Sequence, residues 1–107
     1  MAIARSAVTT GPAPGAERLS AVVIGRVQGV GFRWWIRGLA GQLGISGWVM
    51  NRDDERSLEL VAEGTPAALD ELERLIREGP PGAVVEGVET KRSPASGDYR
   101  GFQITQP

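Results

Sequence analysis

The apolar residues of this chain change period at one place, and that change limits what the chain can fold into. In "RLSAVVIGRV" (18–27) they alternate, with Leu19, Ala21 and Val23 on one face and Val22 and Ile24 on the other. An alternating period is a strand, and apolar residues on both faces imply a central one. From residue 32 the spacing becomes helical. Phe32, Trp35, Ile36, Leu39, Ala40 and Leu43 share one side of "FRWWIRGLAGQLG", and Gly44 is a natural C-terminal stop. Gly38 and Gly41 interrupt this helix at a cost of about 1 kcal/mol each relative to alanine. Close packing of the helix on the sheet is the expected reason for both.

The remaining punctuation completes the plan. "SGWVMN" (46–51) and "SLELVAEG" (57–64) read as an antiparallel hairpin around the polar turn "RDDER", with Leu58, Leu60 and Ala62 on the inner face. A second helix follows in "TPAALDELERLIREG", where Thr65 is placed to cap, Pro66 suits the first helical position and Gly79 ends it. Its core stripe is Leu69, Leu72, Leu75 and Ile76, and Asp70, Glu71, Arg74 and Arg77 are ordered as the helix dipole prefers. A strand near 83–92 and a short last one near 99–105 close the chain, while residues 1–17, rich in Ala, Gly, Pro and Thr, are expected to form a disordered tail. The order β-α-β-β-α-β predicts an α+β, ferredoxin-like two-layer sandwich. It has a mainly antiparallel sheet, two helices on one face, and a short added C-terminal strand. At 107 residues this is one domain, spanning 18–107.

Composition narrows the chemistry. The chain has no cysteine and no histidine, so it lacks thiolate nucleophiles, disulfides, the usual general base and the commonest metal ligands. No metal or cofactor is implied. No apolar run is long enough for a membrane span, and the first residues lack the apolar stretch of a secretory signal, so a cytoplasmic location and a monomer are the default expectations. The net charge of −1 argues against a nucleic-acid partner. Between Arg18 and Arg52, however, there are five arginines and no acidic residue. That suits a small anionic ligand, although buried strands and a buried helix would also exclude acids.

The link between the first strand and the first helix is "GRVQGVGFR" (25–33). Glycines allow turns in which successive backbone N–H groups converge on an anion, a helix N-terminus adds partial positive charge, and Arg33 adds a planar fork of donors. It is neither a Walker A loop, since no Gly-Lys-Ser/Thr follows, nor a dinucleotide fingerprint, since the third glycine is missing. An anion-binding loop and a purely structural turn both remain open on this physics alone. So do a solvated role for Arg33 and a simple turn role for Asn51 at the end of the second strand.

"GRVQGVGFR", followed by "LGISGWVMN", closely resembles the acylphosphatase family, with its G-x-V-Q-G-V-x-F-R loop and downstream G-x-V-x-N strand. The resemblance runs from about Arg18 to Pro107 and includes "VAEG" and "YRGFQI". It implies a metal-free hydrolase that splits acyl phosphates into a carboxylate and inorganic phosphate. It implies that Arg33 and Asn51 are the catalytic residues, and that Gln28, Gly29, Val30, Gly31, Phe32 and Arg33 hold the phosphate. The residues are chemically consistent with this. The conjugate acid of the leaving carboxylate has a pKa near ~4, so it departs without a general acid. Phosphoryl transfer then needs positioning and charge stabilisation above all. Arg33 and the loop amides would clamp the phosphoryl oxygens, and Asn51 would orient the water. One departure stands out: "NRDDERSLEL" lacks the Asp-Gly usual in the family's hairpin and looks one residue longer, so an altered turn that shifts Asn51 slightly is the consequence to look for.

Three other functions compete. A non-catalytic regulatory domain would bind a phosphorylated metabolite in the same loop. An RNA-recognition domain would share the fold plan, but "SAVVIGRV" and "SLELVAEG" carry no aromatic on which a base could stack. A carbamoyl-phosphate-handling module is expected in far longer chains. Trp34, Trp35 and Trp48 are expected to pack rather than to touch substrate. The expected partner is therefore a small-molecule acyl phosphate, with no nucleic acid and no membrane.

Overall fold

The structure is a computed structural model that describes residues 14–106. Its elements are β1 (Glu17–Arg26), α1 (Phe32–Leu43), β2 (Ser46–Asn51), β3 (Ser57–Gly64), α2 (Pro66–Glu78), β4 (Val84–Pro94) and β5 (Phe102–Ile104). The strands form one sheet in the order β4-β1-β3-β2-β5. β1 pairs antiparallel with both β3 and β4, β2 pairs antiparallel with β3, and only the short β5 runs parallel, beside β2. This is the α+β, ferredoxin-like arrangement that the element order predicts. Residues 1–13 of the expected tail lie outside the described residues, and Glu17, the last residue assigned to that tail, opens β1. Among the described residues no helix is long and apolar enough to cross a membrane.

The alternation along each strand decides which face is covered. Leu19, Ala21 and Val23 of β1, Val49 of β2 and Leu58, Leu60 and Ala62 of β3 point to one side, where Phe32, Ile36 and Ala40 of α1 and Leu69, Leu72 and Ile76 of α2 meet them. Burying an aliphatic or aromatic side chain in this way contributes roughly 1.5–3 kcal/mol. Val22 and Ile24 on the opposite face are half-buried, as befits a strand with neighbours on both edges and one uncovered face.

The helices differ in how they are anchored. The hydroxyl of Thr65 accepts from the Ala68 amide at 3.2 Å, Pro66 occupies the first turn, and the Gly79 amide closes onto Leu75, so the expected start and stop of α2 are both present. The dipole reading of Asp70 and Glu71 fails, because the first turn of α2 holds no acid. Those charges are spent laterally instead: Arg74 pairs with Glu71 and Glu78, and Asp70 pairs with Arg92 of β4. The packing explanation for Gly38 and Gly41 fails as well. Both lie on the exposed face of α1, and a Cβ at either position would meet nothing within 4 Å.

One buried acid secures the far end of the sheet. Glu63, only 5% exposed, accepts from Arg18, from the Ser96 amide and hydroxyl and from the Gly97 amide. It thereby fastens the segment that leads from β4 to β5. Burial by itself would raise its pKa, but the hydrogen bonds from Ser96, Gly97 and Arg18 outweigh burial and hold it below the ordinary 4.5. A carboxyl held low in the folded state contributes stability that is complete above the ordinary value and is lost as pH falls through the lower folded one.

Two outcomes follow for stability. Gly38→Ala and Gly41→Ala should each stabilise the protein by up to about 1 kcal/mol in urea unfolding, because they gain helix propensity with no steric cost. Lowering pH below about 4.5 should progressively destabilise the wild type. In Glu63→Gln the acid dependence should be shallower and the stability at neutral pH lower, by about 2 kcal/mol, because the half-exposed Arg18 loses its ion and two amides lose a charged acceptor.

Candidate active site

Where β1 leaves the sheet, its last residues are set by a close approach of backbones. The β1–β4 register slips between Ile24 and Gly25, so that Ile24 faces Gly87 while Gly25 faces Val85. Gly25 has φ 138°, and a Cβ there would lie 2.1 Å from the Val84 carbonyl oxygen. Only glycine fits, and its amide donates to the Arg56 carbonyl at 2.9 Å. The chain then runs from the buried Val27 to the buried Phe32, two apolar pegs that hold Gln28, Gly29, Val30 and Gly31 between them at the surface.

This link ends in an uncapped helix. Gly31 is the residue before α1, with φ 77° and ψ 17°, and no side chain caps the first turn. The first intrahelical bond runs from the Trp35 amide to the Gly31 carbonyl at 3.0 Å. The amides of Phe32, Arg33 and Trp34 therefore have no partner within the helix. Among the described residues the amides of Gln28 to Gly31 meet no backbone acceptor either. Gly29 shares the left-handed conformation, with φ 75°, and nothing stands within 4 Å of where a Cβ would be at Gly29 or Gly31. The glycines are needed here for backbone conformation, not for want of room. Donors that find no partner among the described residues, at the positive end of a helix dipole and open to solvent, are the kind of arrangement that suits an anion.

Arg33, the second residue of α1, is half-buried and makes no ion pair among the described residues. Arg26 and Arg37 are exposed and likewise make no ion pair among the described residues, whereas Arg18 pairs with Glu63 and Arg52 lies 3.9 Å from Glu59. The acid-free window from Arg18 to Arg52 is thus not one field. Arg18 sits at the opposite end of β1 from the loop, and its charge is matched. The expectation of packed tryptophans also holds only in part. Trp35 stands edge-on to Phe32 at 5.5 Å and packs on the core, but Trp34 is 62% exposed and lies under the Arg37 guanidinium.

The second half of the site is the end of β2. Asn51 is its last residue, facing Leu58, and its Oδ1 is buried without a hydrogen-bond partner. The turn that follows it has its own local geometry. Glu55 takes φ 62°, the position a glycine would otherwise fill. The Asp54 carboxylate gathers the corner, accepting from the Ser57 hydroxyl at 2.7 Å and from the amides of Arg56 and Ser57 at 3.0 Å. The bond from the Ser57 hydroxyl, with that from the Arg56 amide, holds the Asp54 carboxyl below its ordinary pKa of 3.8. Asp54 and Ser57 carry only a local signal in the sequence, an Asp three residues before a Ser at a strand start.

The loop and Asn51 meet through β3. Ile24 at the end of β1 faces Ser57, and Asn51 faces Leu58, the next residue of β3. Gln28 spans the gap directly: its side-chain Nε2 donates to the carbonyls of Arg52 at 2.8 Å and Ser57 at 2.9 Å. Of the residues expected at the site, Gly29 to Arg33 line the open turn, and Asn51 is related to it through Ser57 and Leu58 of β3. The Gln28 side chain turns into the hairpin, which leaves only its backbone amide to face an anion.

A family model for acylphosphatase matches residues 19–104. An acylphosphatase of Rubrobacter xylanophilus is 53% identical over 88 residues, 82% of this chain and 79% of that protein. The crystal structure of the Bacillus subtilis acylphosphatase superposes with a TM-score of 0.79 at 35% identity, covering 83% of this chain and 98% of that one. Full-length HypF in its phosphate- and nucleotide-bound form matches at a TM-score of 0.78 and 27% identity, over 89% of this chain but 12% of its own. With the family model spanning most of its length and relatives of half its sequence, the chain belongs to the acylphosphatase family, hydrolases of acyl phosphates.

Proposed function

We propose that the loop amides from Gln28 to Phe32 and the Arg33 guanidinium bind the phosphoryl group of an acyl phosphate, and that Asn51 orients the water that attacks phosphorus. The observation that carries this reading is the pairing of an uncapped, donor-rich turn with a buried, unpartnered Asn51 Oδ1 across two successive residues of β3. An amide oxygen with no protein partner accepts a hydrogen bond from water and fixes its position. It is too weak a base to take the proton, so Asn51 acts by orientation. Arg33 and the amides oppose the charge on the phosphoryl oxygens as the bond to the acyl oxygen breaks, and the carboxylate leaves unprotonated.

The reaction as read here uses no metal ion. The chain has no histidine or cysteine, and among the described residues no group of three potential ligands is gathered. The cytoplasm is the proposed location, with the monomer as the working unit.

Purified protein should hydrolyse benzoyl phosphate well above the buffer rate, and a chelator should leave that rate unchanged. Arg33→Ala should lower kcat/KM by about 10³-fold and Asn51→Ala should lower kcat by about 10²-fold or more. Inorganic phosphate should still bind Asn51→Ala but bind Arg33→Ala weakly. A wild-type protein that leaves benzoyl phosphate intact, or an Arg33→Ala variant as fast as wild type, contradicts the reading.

A further inference from the structure

The Gln28 side chain makes two contacts that the phosphate-loop reading does not use. Both hydrogens of its Nε2 are committed, one to the Arg52 carbonyl at 2.8 Å and one to the Ser57 carbonyl at 2.9 Å. These two carbonyls flank the mouth of the hairpin: the Arg52 amide closes onto the same Ser57 carbonyl at 3.0 Å, and Arg52 follows Asn51 directly. Gln28 itself lies one residue after the buried Val27 and directly before the glycine-bearing turn. We infer that Gln28 is a positioning residue, whose amide locks the Asn51 arm to the phosphate loop so that the water held by Asn51 stays in line with the bound phosphorus. This inference rests on the roles proposed above for Arg33 and Asn51.

The chemistry favours a glutamine over its neighbours in the residue table. Two converging carbonyls need a donor with two hydrogens and no charge at the end of a four-atom reach. Glutamate offers no donor and would place a negative charge between two carbonyls and beside an anion site. Asparagine is one methylene short. The other tie between the two halves, from the Gly25 amide to the Arg56 carbonyl, is backbone to backbone and lies at the far side of the turn from Asn51. It holds β1 to the turn but does not reach Arg52, whose own backbone tie, to the Ser57 carbonyl, stays within the hairpin and does not join it to the loop. In-line attack is sensitive to such movement, since a misplacement of about 1 Å costs about 10²-fold.

Removing the side chain should not unfold the protein. The Arg52 carbonyl is at an exposed bond and can take a water, and the Ser57 carbonyl keeps the Arg52 amide. The test is therefore Gln28→Ala and Gln28→Met in the full chain, with benzoyl phosphate as substrate and inorganic phosphate as a binding probe measured by calorimetry. The expected result is a kcat lower by about 10- to 100-fold in both variants, with phosphate affinity within about twofold of wild type and faster amide exchange at Arg52. A phosphate affinity that falls in parallel with kcat/KM would show that Gln28 is itself an anion ligand and overturn the inference. An unchanged kcat overturns it too. Asn51→Ala run alongside separates the two levels: if that variant keeps full activity, the proposed function fails and the inference with it, whereas a disabled Asn51→Ala beside a fully active Gln28→Ala sinks the inference alone.

Discussion

The site depends on the first two residues of β3. Ser57 faces Ile24 at the end of β1 and Leu58 faces Asn51 at the end of β2, so one short piece of backbone sets the distance between the loop that follows β1 and the asparagine that ends β2. Both outer strands reach the same edge because β3 runs antiparallel between them. The corner is stiffened from the turn side by the Asp54 carboxylate, which takes the Ser57 hydroxyl and two amides, and from the loop side by Gln28. With those ties in place, a separation of eighteen positions in sequence between Arg33 and Asn51 becomes a fixed geometry.

The rest of the fold serves to keep the donors of the loop exposed. Val27 and Phe32 bury the ends of the link, Gly25 lets β1 pass the Val84 carbonyl, and Gly31 opens α1 without a capping side chain. A serine or aspartate before α1 would satisfy the first turn and stabilise the helix by about 1 kcal/mol, but it would occupy the donors that an anion needs. This trade of local stability for open donors is the kind of inconsistency between local and global preference expected at a functional position. Under the proposed function it also gives a chain with no histidine or cysteine a way to act on acyl phosphates: the leaving group needs no proton, and the protein would supply aim and charge.

Much of this was legible in the sequence, for identifiable reasons. The strand and helix periods located β1, α1, β3 and α2, because each strand covers one face and each helix one stripe, while β4 and β5 were placed only approximately. Thr65, Pro66 and Gly79 punctuated α2 by chemistry that acts within a few residues. What the sequence left out depends on distance in space. Gly38 and Gly41 look like packing glycines until α1 is rotated against the sheet, when both prove to face solvent. Trp34 differs from Trp35 by one residue and by a hundred degrees around the helix, which puts one in water and the other on Phe32. The cluster of arginines looked like one field, yet Arg18 is matched by Glu63 at the other end of the sheet. The hydrogen bonds of Gln28 join residues 24 and 29 positions apart, which no local pattern encodes.

The central claim is that phosphate binds at the uncapped turn between β1 and α1. The most direct measurement is a titration of inorganic phosphate followed at every backbone amide by nuclear magnetic resonance. The account predicts that the largest shifts gather at Gly29 to Arg33, with a smaller response at Asn51, and that they vanish in Arg33→Ala. Shifts centred on the uncovered face of the sheet, around Val22, Trp48 and Val61, with Gly29 to Arg33 unmoved, would contradict it.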